Sequence, residues 1–332
     1  MRSPSPDLSI SIVSLNRADL VRQCLATIIK FTVSIAYEIH VVAHNYDPDA
    51  LADIARAYPS VVIHRVSGIR GYSQNNNVAL RAARGRYALI LNDDTILGDD
   101  LFGRMVSFLD AHTDVVGACP VLRYPDGSLQ MGVRGRLTPA SFLVEQLRLD
   151  RFVPLRWAIR FGAFDRPWLP DGDGAPVDVE AGTGACFMVR RSALQAMGFL
   201  DEVYFLAPDD IDWSVRLRRL GRLVLLPTLS LTHLASATLS RSYHAVVPTV
   251  YAGYYTFFRR HYGRASEWVI RIGAGFLWSF LLSATWALLC LARNSRRACV
   301  MKRARWNCVR FAFSQAGSPE VFARLVSSSL PG

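Results

Sequence analysis

Acidic residues are almost missing from one stretch of this 332-residue chain: between Arg259 and Arg310 stand eleven Lys or Arg and a single acid, Glu267. That stretch carries +10 of the total formal charge of +11, so the basicity belongs to the tail and the remainder is near neutral. Cysteine is sparse as well. The six thiols (Cys24, Cys119, Cys186, Cys290, Cys299, Cys308) form no CxxC and no tight Cys/His spacing, which excludes a zinc cage or a disulfide framework and fits a reducing compartment. The opening "MRSPSPDLSISIVSLNR" lacks the apolar stretch of about 7–15 residues that a cleaved signal needs, so none is expected. No internal repeat and no low-complexity tract interrupts the chain, and no Gly-rich phosphate loop follows the first strand, since "SLNRADL" is not one.

What is present is ample core material, 51% hydrophobic by composition, arranged in an alternating order. "LSISIVSL" (8 to 15), "YEIHVVAH" (37 to 44), "VVIHRV" (61 to 66) and "YALILN" (87 to 92) read as short strands rich in Val and Ile. Between them "ADLVRQCLATIIKF", "PDALADIARAY" and "NNNVALRAARG" have helical spacing. Strand and helix in alternation predict a mostly parallel α/β sheet covered on both faces. Ligands collect at the carboxyl ends of such strands, where Asn16-Arg17, His44-Asn45 and Asn92-Asp93-Asp94 fall. After a further helix and strand, residues 124–178 turn irregular and rich in Gly, Pro and Arg, a loop-rich region expected over the site. "VDVEAGTGACFMVRRSALQAMG" reads as a strand and a short helix, "DDIDWSVRLRRLG" as a helix stopped by Gly221, and "LVLLPTLSLTHL" as a strand pair.

Two acidic clusters stand out. "LNDDT" places Asp93 and Asp94 behind an apolar strand, where they serve either as a turn or as oxygen ligands of a hard cation beside a diphosphate. "APDDIDW" offers Asp209 and Asp210 at a helix start, and with Asp212 it holds three acids in four positions, more than capping requires. His233 in "LTHL" follows the next strand; it is either a structural imidazole or a ligand. Trp213 is either a ring for stacking on a sugar or a buried structural residue. For Asp210 the helix start lowers the carboxyl pKa and apolar neighbours raise it, and sequence does not rank the two.

In the tail, Ile272 to Leu291 gives twenty residues without a charge, near the length that spans a bilayer, followed by the cationic flank "ARNSRRACVMKRARW". A spanning helix, a segment lying in one leaflet and a buried helix compete; membrane attachment leads, with the monotopic arrangement slightly ahead of a single span and the cations on the cytoplasmic side. Nucleic-acid binding does not explain an uncharged segment between the cations, so no nucleic-acid partner is expected.

In order, "SIVSLNRADLVRQCLATI", "GYSQNNNVALRAARGRYALILNDDTIL", "YPDGSLQ", "VEAGTGACFMVRRSALQAMGFLDEVYF", "DDIDWSVRLRRLG" and "THL" resemble the family 2 glycosyltransferases of the GT-A fold, especially rhamnosyltransferase-like and galactofuranosyltransferase-like bacterial members. The resemblance covers about residues 8 to 240. It implies a GT-A domain at 1–240 and a membrane-associated helical tail at 241–332. It further implies a DXD-type element at Asn92, Asp93 and Asp94, with Asp94 the metal ligand for Mg2+ or Mn2+ and His233 completing the site. Asp210 matches the general base and Asp209 the acceptor side, where the stacking reading also puts Trp213. Asn16, Asn45, Asn76 and Asn77 match positions near the nucleotide, with Arg17 beside them. His44 stands where the family usually has an Asp that binds the nucleobase. The implied partners are a nucleotide-diphosphate sugar donor and a glycan or lipid-linked glycan acceptor in cell-envelope polysaccharide synthesis at the cytoplasmic face of the membrane. A non-catalytic glycan-binding relative and a nucleotidyltransferase are the rival readings.

Overall fold

The computed structural model describes residues 5–147, 149–152, 174–235, 243–291 and 296–327, the side chains of 284–299 excepted. The middle of the expected loop region, 153–173, lies outside the described residues. The chain divides into two compact units: Met1–Gly135 with Asp165–Leu200 and Asp210–Ser236, and Arg136–Phe164 with Asp201–Asp209 and Ala237–Gly332.

The first unit is built on β-branched runs. β1 (Leu8–Ser14), β2 (Tyr37–His44), β3 (Val62–Val66) and β4 (Tyr87–Asn92) alternate with α1 (Ala18–Phe31), α2 (Pro48–Ala57) and α3 (Tyr72–Ala82). All seven residues of β1 are buried, as a central strand covered on both faces requires. Asp47 starts α2 by accepting from the N–H groups of Asp49 and Ala50 at 3.0 and 3.1 Å, with Pro48 at the first helical position, a cap contributing about 1 kcal/mol.

β5 (Thr95–Ile96), α4 (Leu101–Ala111), β6 (Val115–Arg123), β7 (Val133–Arg134), α5 (Pro139–Gln146), β8 (Val177–Asp178), β9 (Ala181–Gly182), β10 (Cys186–Arg190) and β11 (Arg222–His233) follow. The main sheet runs β3-β2-β1-β4-β10-β6-β11-β5, with β8 on β11. Its first four strands are parallel, whereas β10 is antiparallel to both neighbours, β4 and β6. The order reverses between β1 and β4, so the crevice beyond their carboxyl ends is the switch point where α/β sheets place ligands. β7 and β9 form a separate two-stranded ribbon.

Three local expectations are corrected. "LVLLPTLSLTHL" is one strand, β11, whose pairing with β6 shifts register between Leu226 and Ser230; Pro227 within that gap has no N–H for a ladder. The loop-rich region contains a helix, α5, which Thr138 caps through the Ser141 N–H at 3.0 Å with Pro139 next in line. The helix Asp209–Leu217 ends before Gly221. That glycine instead permits close approach, since a Cβ there would stand 2.5 Å from the Asp114 carbonyl oxygen.

In the second unit, the helix Tyr243–Leu291 is broken at Gly263, whose φ of +86° favours glycine. Phe142 of α5 packs its ring among Tyr251, Tyr254 and Phe258. Arg271 donates to the carbonyls of Ala312 and Ser314 at 2.9 and 2.7 Å and lies over the Tyr255 ring, fastening the helix Arg296–Ala312. Ser318–Ser327 closes the unit through Val321 and Leu325 against Ala245, Ala252 and Phe311. Among the described residues one helical stretch, His244–Ser283, is long and apolar enough to cross a membrane by length and composition.

Candidate active site

Asp94 and His233 meet because β5 pairs with the end of β11. His233 stands opposite Thr95 in that ladder, and the Leu234 N–H donates to the Asp94 carbonyl at 2.9 Å. Their side chains follow: His233 Nε2 is 3.1 Å from Asp94 Oδ1 and 3.2 Å from Asn92 Nδ2. The far side of the ring faces Gln130, whose Oε1 is 2.8 Å from Nδ1. An imidazole nitrogen and a carboxylate oxygen in direct contact, the carboxylate buried and the ring partly so, suit a shared divalent cation. Among the described residues no group of three or more His, Cys, Asp or Glu is placed to hold a metal. As a pair, Asp94 and His233 would suit a Mg2+- or Mn2+-type ion only if substrate phosphates and water supplied its remaining ligands.

Asp93 points the other way. Arg17 grips both its oxygens, with Nε 3.2 Å from Oδ2, and Ser14 also hydrogen-bonds it. Burial pushes the Asp93 carboxyl above its ordinary range, and Ser14 and Arg17 work against that rise. The Ser14 hydroxyl lies 2.8 Å from the Tyr46 hydroxyl, so the ends of β1, β2 and β4 are tied together. Asn16 and Asn45, each just past a strand, both adopt φ of +52°, which Asn tolerates better than most residues. Asn16 accepts from the Asp47 N–H at 3.1 Å, and Asn45 pairs with the N–H and carbonyl of Gly68 at 3.0 and 3.2 Å. Asn16, Arg17, Asp19, Asp47 and Ala50 line an open depression of about 400 Å³ between the starts of α1 and α2.

Three expected nucleotide contacts lie elsewhere. Asn77 is buried and makes a two-way amide pair with the Leu200 backbone at 2.9 and 3.1 Å. Asn76 is equally buried and joins Ser11 to the Tyr72 carbonyl at 3.0 and 3.2 Å. Both side chains are spent on holding α3 to its surroundings. His44 accepts from Asn75 Nδ2 at 3.0 Å and donates to the Gly68 carbonyl at 2.8 Å, an assignment that makes it the neutral Nε2–H tautomer. With both ring nitrogens engaged, it has none to offer a nucleobase. Asn75, unassigned by sequence, is the residue that orients it, and Asn75 itself accepts from Arg70 Nε at 2.9 Å.

Asp210 occupies the first turn of its helix, where its oxygens accept from the N–H groups of Ile211 at 2.9 Å and Gly184 at 3.2 Å. Burial raises its pKa, outweighing the backbone N–H groups and the nearby Arg134 that lower it. Gly184 continues the path, since its carbonyl accepts from the Tyr72 hydroxyl at 2.8 Å and that hydroxyl is 3.4 Å from Asn92 Oδ1. A Cβ at Gly184 would stand 2.8 Å from the phenol oxygen, so this approach requires glycine. Asp210, Gly184, Tyr72, Asn92, His233 and Asp94 thus form one unbroken run of contacts. Asp209 is buried at the first position of the same helix. Trp213 is 0% exposed, edge-to-face with Phe187, and its indole donates to the Gly198 carbonyl at 3.2 Å. No face of that ring is open to a sugar, which corrects the acceptor-stacking expectation.

A GT-A arrangement is what this sheet order and site describe. Residues 6–245 match the model of the glycosyltransferase like family 2, and the chain belongs to that family. A search of curated proteins found no match. Among solved structures, GalNAc-T7 with UDP, GalNAc and Mn2+ aligns at a TM-score of 0.51 and 15% identity, covering 69% of this chain and 43% of that one. The mannosyltransferase PcManGT from Pyrobaculum calidifontis in complex with GDP-Man and Mn2+ aligns at 0.51 and 15%, covering 92% of this chain and 88% of that one. This chain thus spans less than half the length of the first, and at such identity both likenesses speak for the fold.

Replacing Asn77 by Ala leaves the Leu200 backbone groups without their buried partner. The expected loss is about 1–3 kcal/mol in a urea melt, with donor affinity of the folded fraction unchanged.

Proposed function

We propose that the protein is a metal-dependent inverting glycosyltransferase. It moves a sugar from a nucleotide-diphosphate sugar to a hydroxyl of a lipid-linked glycan at the cytoplasmic face of the membrane, in cell-envelope polysaccharide synthesis. The resemblance of its motifs points to rhamnosyl or galactofuranosyl transfer. The observation that carries the reading is the run of contacts from Asp94 to Asp210, which joins a cation-type carboxylate to a carboxylate of raised basicity within one unit. The Mn2+ of the two similar solved structures, beside UDP and GalNAc in one and GDP-Man in the other, agrees with it.

Asp94 Oδ1 and His233 Nε2 hold the cation, which, when bound, offsets charge on the departing diphosphate. Arg17 keeps Asp93 engaged and so leaves Asp94 to the cation. The depression beside Asn16 and Arg17 takes the nucleoside, with Asn45 shaping its rim. Asp210 takes the proton of the acceptor hydroxyl as that oxygen bonds the anomeric carbon and the bond to the diphosphate breaks on the opposite face, inverting the configuration. Asp209 belongs on the acceptor side.

The membrane reading rests on the second unit. Trp268, Ile272, Phe276 and Phe280 recur every fourth residue on one face of their helix, and Phe276 and Phe280 are 75% and 71% exposed. Phe313 lies against Gly275, so this face continues into Arg303, Trp306 and Arg310 on the neighbouring helix and Phe313 just past its end, all exposed. Large aromatics alternating with cations suit the headgroup boundary of an anionic bilayer. The opposite side of the first helix carries the buried Glu267–Arg271 pair, 2.8 Å apart and fastened to the carbonyls of Ala312 and Ser314. An ion pair on one side and an aromatic, cationic face on the other suit a segment lying in one leaflet better than a lone span ringed by lipid.

Nucleotide sugars screened with Mg2+ or Mn2+ should reveal a donor whose transfer stops in excess chelator; full activity there would refute the cation assignment. Asp210→Asn should lower kcat by about 10²- to 10⁴-fold while donor binding persists. Because burial raises the Asp210 pKa, the base is lost at higher pH than an ordinary aspartate would be. The acid limb of kcat/KM should therefore lie above pH 3.8, and it should vanish from the residual activity of Asp210→Asn. For the bilayer face, Phe276→Asp with Phe280→Asp should weaken co-sedimentation with phosphatidylglycerol vesicles by at least about tenfold. Unchanged sedimentation would remove the leaflet reading and leave the catalytic one standing.

A further inference from the structure

The "YPDGSLQ" segment is a turn that returns Gln130 to the end of β11. The Tyr124 N–H donates to the Ser128 carbonyl at 2.8 Å and the Gly127 N–H to the Tyr124 carbonyl at 2.9 Å, with Gly127 at φ of +83°. Asp126 Oδ1 accepts from the Ser128 N–H at 2.9 Å and also from its hydroxyl. The Gln130 N–H then donates to the Leu122 carbonyl at 2.9 Å, which fixes its backbone beside β6. Its side chain, in a residue 8% exposed, is committed at both ends.

The polarity of those two ends is set by chemistry. Gln130 Nε2 lies 2.6 Å from the His233 carbonyl oxygen, which only accepts, so the amide NH2 must face it. That orientation turns Oε1, an acceptor, to His233 Nδ1 at 2.8 Å, so the neutral ring must carry its proton there. A histidine side chain in water favours the other tautomer, with the proton on Nε2. At this position an Nε2–H would satisfy Asp94 Oδ1 at 3.1 Å with a hydrogen bond and close the pair to a cation.

We propose that Gln130 is a positioning residue that holds His233 in the Nδ1–H tautomer and so presents Nε2 as a ligand beside Asp94. This rests on the reading of Asp94 and His233 as cation ligands, but Gln130 acts on the ring whether or not an ion is bound. A carboxylate or carbonyl behind a ligating histidine is a recurring way to fix its tautomer, and its loss typically weakens metal affinity by about 10- to 100-fold. Here the amide does more than a carboxylate would, since it also ties down the histidine's own backbone.

The test is [15N]His NMR of the metal-free protein at about pH 8, where a free imidazole is neutral, on wild type and on the near-isosteric Gln130→Met. Wild type should show a protonated Nδ1 and a bare Nε2 at His233, and Gln130→Met should move the proton to Nε2. Mn2+ titrated in the presence of inorganic pyrophosphate should then bind Gln130→Met about 10- to 100-fold more weakly than wild type. A wild-type Nε2–H tautomer, or a tautomer unchanged by the substitution, overturns the proposal. If Gln130→Met does not fold, the wild-type spectrum alone still decides, because an Nε2–H signal there refutes the assignment and an Nδ1–H signal supports it. Wild type that shows the Nδ1–H ring yet binds no Mn2+ would sink the cation reading while upholding the action of Gln130 on the ring.

Discussion

The site depends on a strand that runs against both of its neighbours: β10 enters antiparallel between β4 and β6. A parallel strand there would place its amino end, and the loop before it, at the opposite edge of the sheet from the end of β4. Running antiparallel, β10 starts where β4 finishes, with Cys186 opposite Leu91 and the Asn92 N–H donating to the Ala185 carbonyl at 3.0 Å. The turn at Thr183 to Ala185 is thereby set against the acidic segment, and Gly184 offers its carbonyl to Tyr72 and its N–H to Asp210. One glycine, small enough to meet a phenol oxygen, thus connects the two carboxylate clusters that lie more than a hundred residues apart in the chain.

The strands and their order of alternation were legible because Val/Ile runs bounded by turn residues leave few other choices, and the helix Ala18–Phe31 has its predicted bounds. The acids at strand ends were legible too, since a carboxylate behind an apolar run needs a reason to be there. Asn76 and Asn77 were misread for a physical reason. A run of three Asn looks like a polar surface, yet α3 is covered on most sides: the Asn77 amide pairs with the Leu200 backbone and the Asn76 amide with the Ser11 hydroxyl. The useful Asn is the neighbour, Asn75, and only a register between a helix and a strand end decides which of three identical side chains meets His44. Trp213 followed the same pattern, since its stacking partner Phe187 is on β10, a strand whose direction the sequence does not state. Tyr72 and Gln130 were visible as letters inside recognised segments but carried no signal of their own, because their roles come from hydrogen bonds across the sheet.

Three buried or partly buried carboxylates in one connected region raise the question of how the charges coexist, and each has a different answer. Asp93 is balanced by a guanidinium that reaches both its oxygens, the arrangement in which Arg is most effective. Asp94 faces an imidazole whose second nitrogen is already committed to Gln130. Asp210 has backbone N–H groups, which carry partial charge and cannot transfer a proton, with Arg134 acting at longer range. Compensation thus falls from a full charge on Asp93, to a ring beside Asp94, to backbone dipoles with a longer-range Arg134 on Asp210, while burial raises the pKa of Asp93 and Asp210 alike. A guanidinium on Asp210 in place of those dipoles would hold it ionised and weakly basic. Under the proposed reading, in which Asp210 takes the acceptor's proton, compensation mainly by backbone N–H groups leaves the carboxylate basic, and the burial that raises its pKa works in the same direction.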